Sequence, residues 1–286
     1  MPSARDLQRQ INTVKNQARV FSALQTVSSV KFRKAEARVR RARPYAENVE
    51  QMMRDVAGNA SEDLPILTGR EVERVAVCSF TADRGLAGGF NAQVLRRTVR
   101  LREEKDPGAL QVASGRKAVA FFRFRRVELA EVFTGFTDNP TYDEAREIGR
   151  ALTRLFDEKE ADEVYLVYNR FESALNQRPV VMRVLPVAGE DEEAVSGASS
   201  YMDYVPDAET VLKRLVPRYV ETMVWQALLE GAAGEHGARM TAMKNATDNA
   251  NDLVRDLTLQ MNKARQAQIT QEILEIVGGA EALSAG

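Results

Sequence analysis

Thr81-Ala-Asp-Arg-Gly-Leu-Ala-Gly-Gly-Phe-Asn91 has the residue types of a phosphate-binding loop, with glycines placed between strand-like and helix-like sequence. Its spacing fits neither common pattern. A Walker loop needs Gly, four residues, then Gly-Lys-Ser/Thr, and no lysine or hydroxyl follows Gly88-Gly89. Gly85, Gly88 and Gly89 also miss the G-x-G-x-x-G dinucleotide spacing. A structural turn with tight helix–sheet contact is therefore expected. The other chemistry-bearing residues are sparse. His236 is the sole histidine, so the chain cannot build a histidine zinc site, and a Ser-His-Asp triad would have to use this one residue among glycines. It is expected at the surface. Cys78 is the sole cysteine, which excludes an internal disulfide and a cysteine metal cluster. Paired carboxylates need a cleft for acid–base work, and an exposed helical shaft has none. No catalytic, cofactor or metal site is expected. A nucleotide-dependent α/β enzyme with helical arms is the competing reading, resting on the glycine loop alone.

The elements around that loop are of two kinds. Gly237 to Gly279 is a long run of helix formers without proline, closed by Gly278-Gly279. Such a helix must lie along another helix or inside a partner. At the other end, Leu7, Ile11, Val14, Ala18 and Phe21 follow coiled-coil seam spacing, and Leu24, Val27, Val30, Phe32, Ala35 and Val39 carry it onward with drift. Ser3 and Asp6 are placed as a capping box. Pro44 predicts a kink or break near Arg43. The helix would span roughly 80 Å at about 1.5 Å per residue. Met243, Ala246, Ala250, Leu253, Leu257, Ala264 and Ala267 supply a second seam, whose small residues favour a slim antiparallel pair. Pro217, Gly231, Gly234 and Gly237 interrupt the last helix; the glycines read as a soft joint or as a site of close helix contact.

Between the helices, strands at 72–80, 109–113, 127–133, 163–168 and 179–185 alternate with helices at 91–104, 116–124 and 142–159. That alternation predicts a largely parallel sheet flanked by helices. The expected fold class is α/β plus a long coiled coil: N- and C-terminal helices paired antiparallel, with a central Rossmann-like α/β domain. The expected boundaries are 1–58, 70–205 and 207–286, with Asp207 capping the last helix.

The chain carries 40 basic and 41 acidic residues, a net charge of −1, so it is no general polyanion binder. Lys31, Arg33, Lys34, Arg38, Arg40, Arg41 and Arg43 cluster against the single acid Glu36. This reads as a solvated helix face or a surface for an acidic protein; without interleaved aromatics, nucleic acid is not an expected partner. No run of about 18 apolar residues exists, so no span is expected. Helical sequence begins almost at once, leaving no room for a leader, and a soluble cytoplasmic protein is expected. Ile269, Ile273, Leu274, Ile276 and Val277 crowd apolar surface onto the end of a helix that outruns its own domain. Such a tip is expected in a partner's socket.

Four blocks carry a family resemblance: RPYAE (Arg43–Glu47), TADRGLAGGFN (Thr81–Asn91), GARMTAMKNATDNAND (Gly237–Asp252) and NKARQAQITQEILEIVGGA (Asn262–Ala280). Through them nearly the whole chain resembles the gamma subunit of the F-type proton-translocating ATP synthase. The resemblance implies a non-catalytic rotor without cofactors. Its coiled coil would enter a ring of three alpha and three beta subunits, and its domain would rest against the c-ring and the epsilon subunit. It implies contact with beta through Leu24 to Lys31 and through Arg265, Gln266, Thr270 and Glu272. It implies a foot on the c-ring and epsilon formed by Arg41 to Tyr45, with Arg43, and by Tyr201 to Asp207, with Tyr204. The location implied is the cytoplasmic face of a bacterial cell membrane, since the cysteine-bearing insert of chloroplast relatives is missing. Val205 stands where the family often has an acid, and Leu24-Gln25-Thr26 is poorer in methionine than is common.

Overall fold

The computed structural model describes residues 3–59, 65–187 and 208–284. In chain order the elements are α1 (Ala4–Asn59), α2 (Pro65–Thr68), β1 (Val75–Phe80), α3 (Phe90–Lys105), β2 (Leu110–Ser114) and α4 (Arg116–Phe124). Then come β3 (Leu129–Phe133), α5 (Tyr142–Asp157), β4 (Glu163–Phe171), β5 (Gln177–Leu185) and α6 (Ala208–Ser284). The chain forms two compact units, Met1–Val27 with Ala242–Gly286, and Ser28–Thr241.

In the smaller unit, Leu7, Ile11 and Leu257 are buried together, with Val14, Val254, Met261 and Ala264 packed on them. Farther along α1, Lys15 to Thr26 flank a groove whose other wall is Thr247 and Asn251. Advancing along α1 thus means retreating along α6, which makes the pair antiparallel. Buried Ala18 and Ala250 keep it slim. The cap forms as expected: the Asp6 N–H donates to Ser3 Oγ at 3.2 Å, and Ser3 Oγ–H donates to Asp6 Oδ2 at 2.7 Å.

The α1 seam does not drift. Positions 7, 14, 21, 28, 35, 42 and 49, with 11, 18, 25, 32, 39, 46 and 53, are all buried or half-buried, an unbroken heptad. Gln25 and buried Ser28 occupy it where apolar residues were expected, so Val27 and Val30 point outward. On α6 the seam likewise runs through Val254 rather than exposed Leu253, and Ala267 lies beyond it. Nor do the prolines and glycines break the helices. α1 continues through Pro44, and α6 continues through Pro217, Gly231, Gly234 and Gly237. A helix-interior proline costs about 3 kcal/mol. Burial of Ala46, Val49 and Met53 after Pro44, and of Val216, Val220 and Met223 around Pro217, offsets that cost.

The larger unit is built on a five-stranded sheet in the order β3-β2-β1-β4-β5, parallel except for β5. β1 is buried along its whole length because both sheet faces are covered. Val75 and Val77 face Val94 and Leu101 of α3. Ala76, Cys78 and Phe80 face a larger core made by α5, α6 and α1. Cys78 lies in that core, and burial pushes its thiol far above the ordinary cysteine range.

Candidate functional site

In doubly wound sheets ligands bind at the C-terminal strand ends, where the strand order reverses. Here that place lies between β1 and β4, and α6 occupies it. A Cβ on Gly234 would come within 2.9 Å of the Phe90 ring and 3.3 Å of Gln177 Cγ. One on Gly237 would meet the Ala174 backbone at 3.2 Å. Two of the three glycines are thus sites of close contact, the second of the alternatives read from the sequence. Gly231 has nothing within 4 Å and borders a small cavity lined by Phe80, Thr81, Phe90 and Thr137.

The glycine loop is closed by its own side chains. Asp83 Oδ1 accepts the Arg116 N–H at 3.0 Å, at the start of α4. Its Oδ2 accepts the Gly135 N–H at 2.8 Å, the Thr137 N–H at 3.2 Å and the Thr137 hydroxyl at 3.1 Å. The Asn91 carboxamide accepts the Ala82 N–H at 2.8 Å. From α6, Arg239 donates to the Gly85 carbonyl at 3.1 and 3.2 Å. The loop ties three β-to-α connections together, the structural role its spacing suggested.

His236 is not at the surface; it is 2 % exposed. Its glycine neighbours are helical, which turns the ring inward. Nε2 lies 3.0 Å from the Asp138 carbonyl, which only accepts, so Nε2 carries the proton and Nδ1 faces Arg239 at 3.4 Å. Burial holds the imidazole below its ordinary range; Arg239 and Lys31 lower it further, while Asp138 opposes them. Glu235, hydrogen-bonded to Arg239, completes the surroundings. Asp138, taking a hydrogen bond from Lys31 at 2.6 Å, is held below the usual carboxylate range.

A group depressed on folding binds more protons unfolded, so stability drops as pH falls below the unfolded value of about 6.5. His236→Gln is expected to remove that component, which has a maximum slope of about 1.4 kcal/mol per pH unit. Urea midpoints of the two proteins from pH 7.5 to 5 should diverge; parallel curves would contradict this placement.

The glycines make a second contrast. Gly231→Ala is expected to stabilise by about 1 kcal/mol, because helix propensity rises and the methyl meets nothing. Gly234→Ala gains the same propensity, but overpacking against Phe90 costs about 1–3 kcal/mol, giving a net loss. Urea unfolding of both variants checks the order, and equal midpoints would overturn it.

The residues singled out for partner contact are placed unequally. Arg265, Gln266, Thr270 and Glu272 are exposed on the last turns of α6, beyond the seam that ends at Ala264. There Thr270 donates to Gln266 O, and Glu272 accepts from Gln268. Ile269, Ile273, Leu274, Ile276 and Val277 are exposed on the same turns, Ile276 by 72 %. Leu24 is half-buried. Lys31 is engaged by Asp138, and Arg43 donates to Phe171 O at 2.9 Å and to Glu230 at 3.2 Å. Arg41 and Tyr45 are exposed. Tyr201, Tyr204 and Asp207 lie outside the described residues. The basic run is thus divided. Lys31, Arg38 and Arg43 turn inward, Arg38 donating to Asn139 at 2.8 Å, while Arg33, Lys34, Arg40 and Arg41 face outward.

Sequence reasoning missed three buried carboxylates on α6, Glu221, Glu230 and Glu235. The signal was present. From Val216 to Ala238 α6 carries few charges, and a helix apolar all round is a buried helix.

Among the described residues no group of His, Cys, Asp and Glu could hold a metal ion. The family model described as ATP synthase matches residues 3–283. The ATP synthase gamma chain of Rubrobacter xylanophilus is 67 % identical over 290 residues, covering 100 % of both chains. That of Moorella thermoacetica is 48 % identical, covering 99 % of this chain and 100 % of its own. Among solved structures, a chain of the Euglena gracilis mitochondrial ATP synthase matches with a TM-score of 0.74 at 20 % identity, covering 99 % of this chain and 95 % of that one. A chain of the Tetrahymena thermophila mitochondrial ATP synthase central stalk and c-ring matches with a TM-score of 0.60 at 21 % identity, covering 79 % of this chain and 99 % of that one. At those identities the likeness speaks for the fold. The sequence matches go further: the chain belongs to the ATP synthase gamma chain family.

Proposed function

We propose that the chain is the central-stalk rotor of an F-type ATP synthase. It transmits torque between the proton-driven c-ring and the catalytic beta subunits and does no bond chemistry itself. The observation that carries this reading is 67 % identity to a bacterial gamma chain over the full length of both. The geometry supports it in two ways. α6 fills the crevice in which an α/β enzyme would bind a nucleotide. Beyond Ala264 the same helix presents an exposed end of mixed polar and apolar character, suited to a bearing inside an alpha–beta ring.

In this reading Arg265, Gln266, Thr270 and Glu272 make the polar contacts with beta, and Ile269 to Val277 form the apolar tip. Leu24 and Lys31 lie on the helix face toward beta, and Arg41 and Tyr45 belong to the foot on the c-ring and epsilon. Arg43 supports that foot from inside. No described helix is long and apolar enough to cross a membrane; the chain would be held peripherally, at the cytoplasmic face, through its partners. Co-expression with alpha and beta subunits is expected to yield an ATPase-active complex containing this chain. An active alpha–beta complex that excludes it would overturn the reading.

A further inference from the structure

Between Val216 and Arg239, α6 carries three carboxylates that water scarcely reaches, Glu230 being 1 % exposed. Glu221 and Glu230 are bonded to other elements, and Glu235 braces an arginine of α6 itself. Glu221 accepts the Tyr142 hydroxyl of α5 at 3.1 Å. Glu230 accepts the Phe171 N–H of β4 at 3.0 Å and Arg43 of α1 at 3.2 Å. Glu235 holds Arg239 at 2.5 Å, and that guanidinium donates onward to the glycine loop at Gly85. At about 1.5 Å per residue, the three levels span roughly 20 Å of helix axis.

Stability alone does not account for them. A buried ion pair is often no better than a well-packed apolar replacement, because desolvation consumes the Coulombic gain. Direction distinguishes the two. Apolar burial is non-directional and resists small turns or slides of a helix less sharply than a directed bond does. A charge-assisted hydrogen bond is lost when its partner moves by an ångström or two. Bonds at three heights, from Glu221 to α5, from Glu230 to α1 and β4, and from the Glu235-braced Arg239 to the glycine loop, resist both rotation and translation.

We infer that Glu221, Glu230 and Glu235 are positioning residues that key α6 to the sheet-bearing unit, so that torque applied to this body reaches the helix without slip. The inference rests on the rotor reading and deepens it by naming the residues that carry the load inside the chain. Glu221→Gln, Glu230→Gln and Glu235→Gln keep side-chain size and remove the charge. The complete complex, reconstituted in lipid vesicles with its c-ring, is the test system, read for ATP hydrolysis and for protons pumped per ATP.

With slip inside the chain, α6 still turns in the alpha–beta ring, so hydrolysis persists while pumping against a gradient falls. We expect pumping per ATP to drop about threefold or more in the triple variant, with smaller losses in the singles, because the bonds share one load. Leu101→Ala, in the core cluster of the opposite sheet face with Val75, Val77 and Val94, controls for stability. Unchanged pumping per ATP in all three singles and in any assembled triple overturns the inference. So does an equal loss in Leu101→Ala at the same melting temperature. If the triple does not assemble, the singles decide. Failure of the unsubstituted complex to pump would count against the rotor reading instead, so the two failures are distinct.

Discussion

Asp83→Ala is expected to lower the unfolding free energy by about 2–4 kcal/mol, because charge-assisted hydrogen bonds are worth about 1.5–3 kcal/mol each and water recovers only part of the loss. One carboxylate takes the Arg116, Gly135 and Thr137 N–H groups and the Thr137 hydroxyl. Those donors belong to the start of α4 and to the connection after β3, so their loss unties the connections that follow β1, β2 and β3. Arg116 and Gly135 are exposed enough for water to replace the carboxylate, which keeps the figure below the sum of four bonds. Asp83→Asn retains one acceptor but turns an amide N–H toward donors, so it should fall between alanine and the parent. Urea unfolding at unchanged m-value measures the series. A loss below about 0.5 kcal/mol in Asp83→Ala, the range of an ordinary surface substitution, would contradict the arrangement.

Gly115→Ala is expected to cost more, about 4 kcal/mol or above, a large share of a domain's usual stability. Gly115 has a φ of +95°, and an added Cβ would lie 2.1 Å from the Thr81 carbonyl oxygen. That oxygen cannot step aside. The Thr81 N–H is bonded to Ser114 O at 2.8 Å, and the Thr81 hydroxyl accepts the Ala118 N–H at 2.9 Å. Relief would require parting the ends of β1 and β2. Gly135 supplies the control, since its φ is +101° but nothing lies within 4 Å of its Cβ position. Gly135→Ala should cost only the backbone strain of about 1–3 kcal/mol. The difference between the two variants isolates the clash. Soluble yield and thermal unfolding of both check it, and equal losses would show that the Thr81 contact relaxes.

What could be read from residues alone divides along physical lines. Elements set by local period and punctuation were legible. α4 spans Arg116–Phe124 as read, flanked by Gly115 and Arg125-Arg126, and the β-α alternation yields a sheet parallel but for its last strand. Strand ends moved where burial rather than composition decides them; β1 starts at Val75, after the exposed Val72-Glu-Arg segment. The heptad of α1 was obscured by Gln25 and Ser28, polar residues seated in a seam whose phase only the whole helix reveals. Pro44, Pro217 and the glycines signal breaks locally, but burial of the neighbouring turns overrides them. The burial of His236 was hidden for a like reason, since its partner Asp138 is far away in sequence, whereas that of the α6 carboxylates was signalled by the low charge of Val216 to Ala238. The exposed end of α6 was legible, because apolar residues there continue past the last seam position.

Rotation of this chain against the catalytic ring can be measured directly. Cys78 is fully buried and its thiol is held protonated, so an introduced cysteine is the reactive one. Phe124, 88 % exposed at the end of α4, is a site whose replacement disturbs no core. The Phe124→Cys chain, assembled with alpha and beta subunits, would carry a gold nanorod while the complex is fixed to glass through the beta subunits. On addition of ATP, sustained stepwise rotation of the rod in one direction is expected. A rod that stays still on complexes that continue to hydrolyse ATP would contradict it.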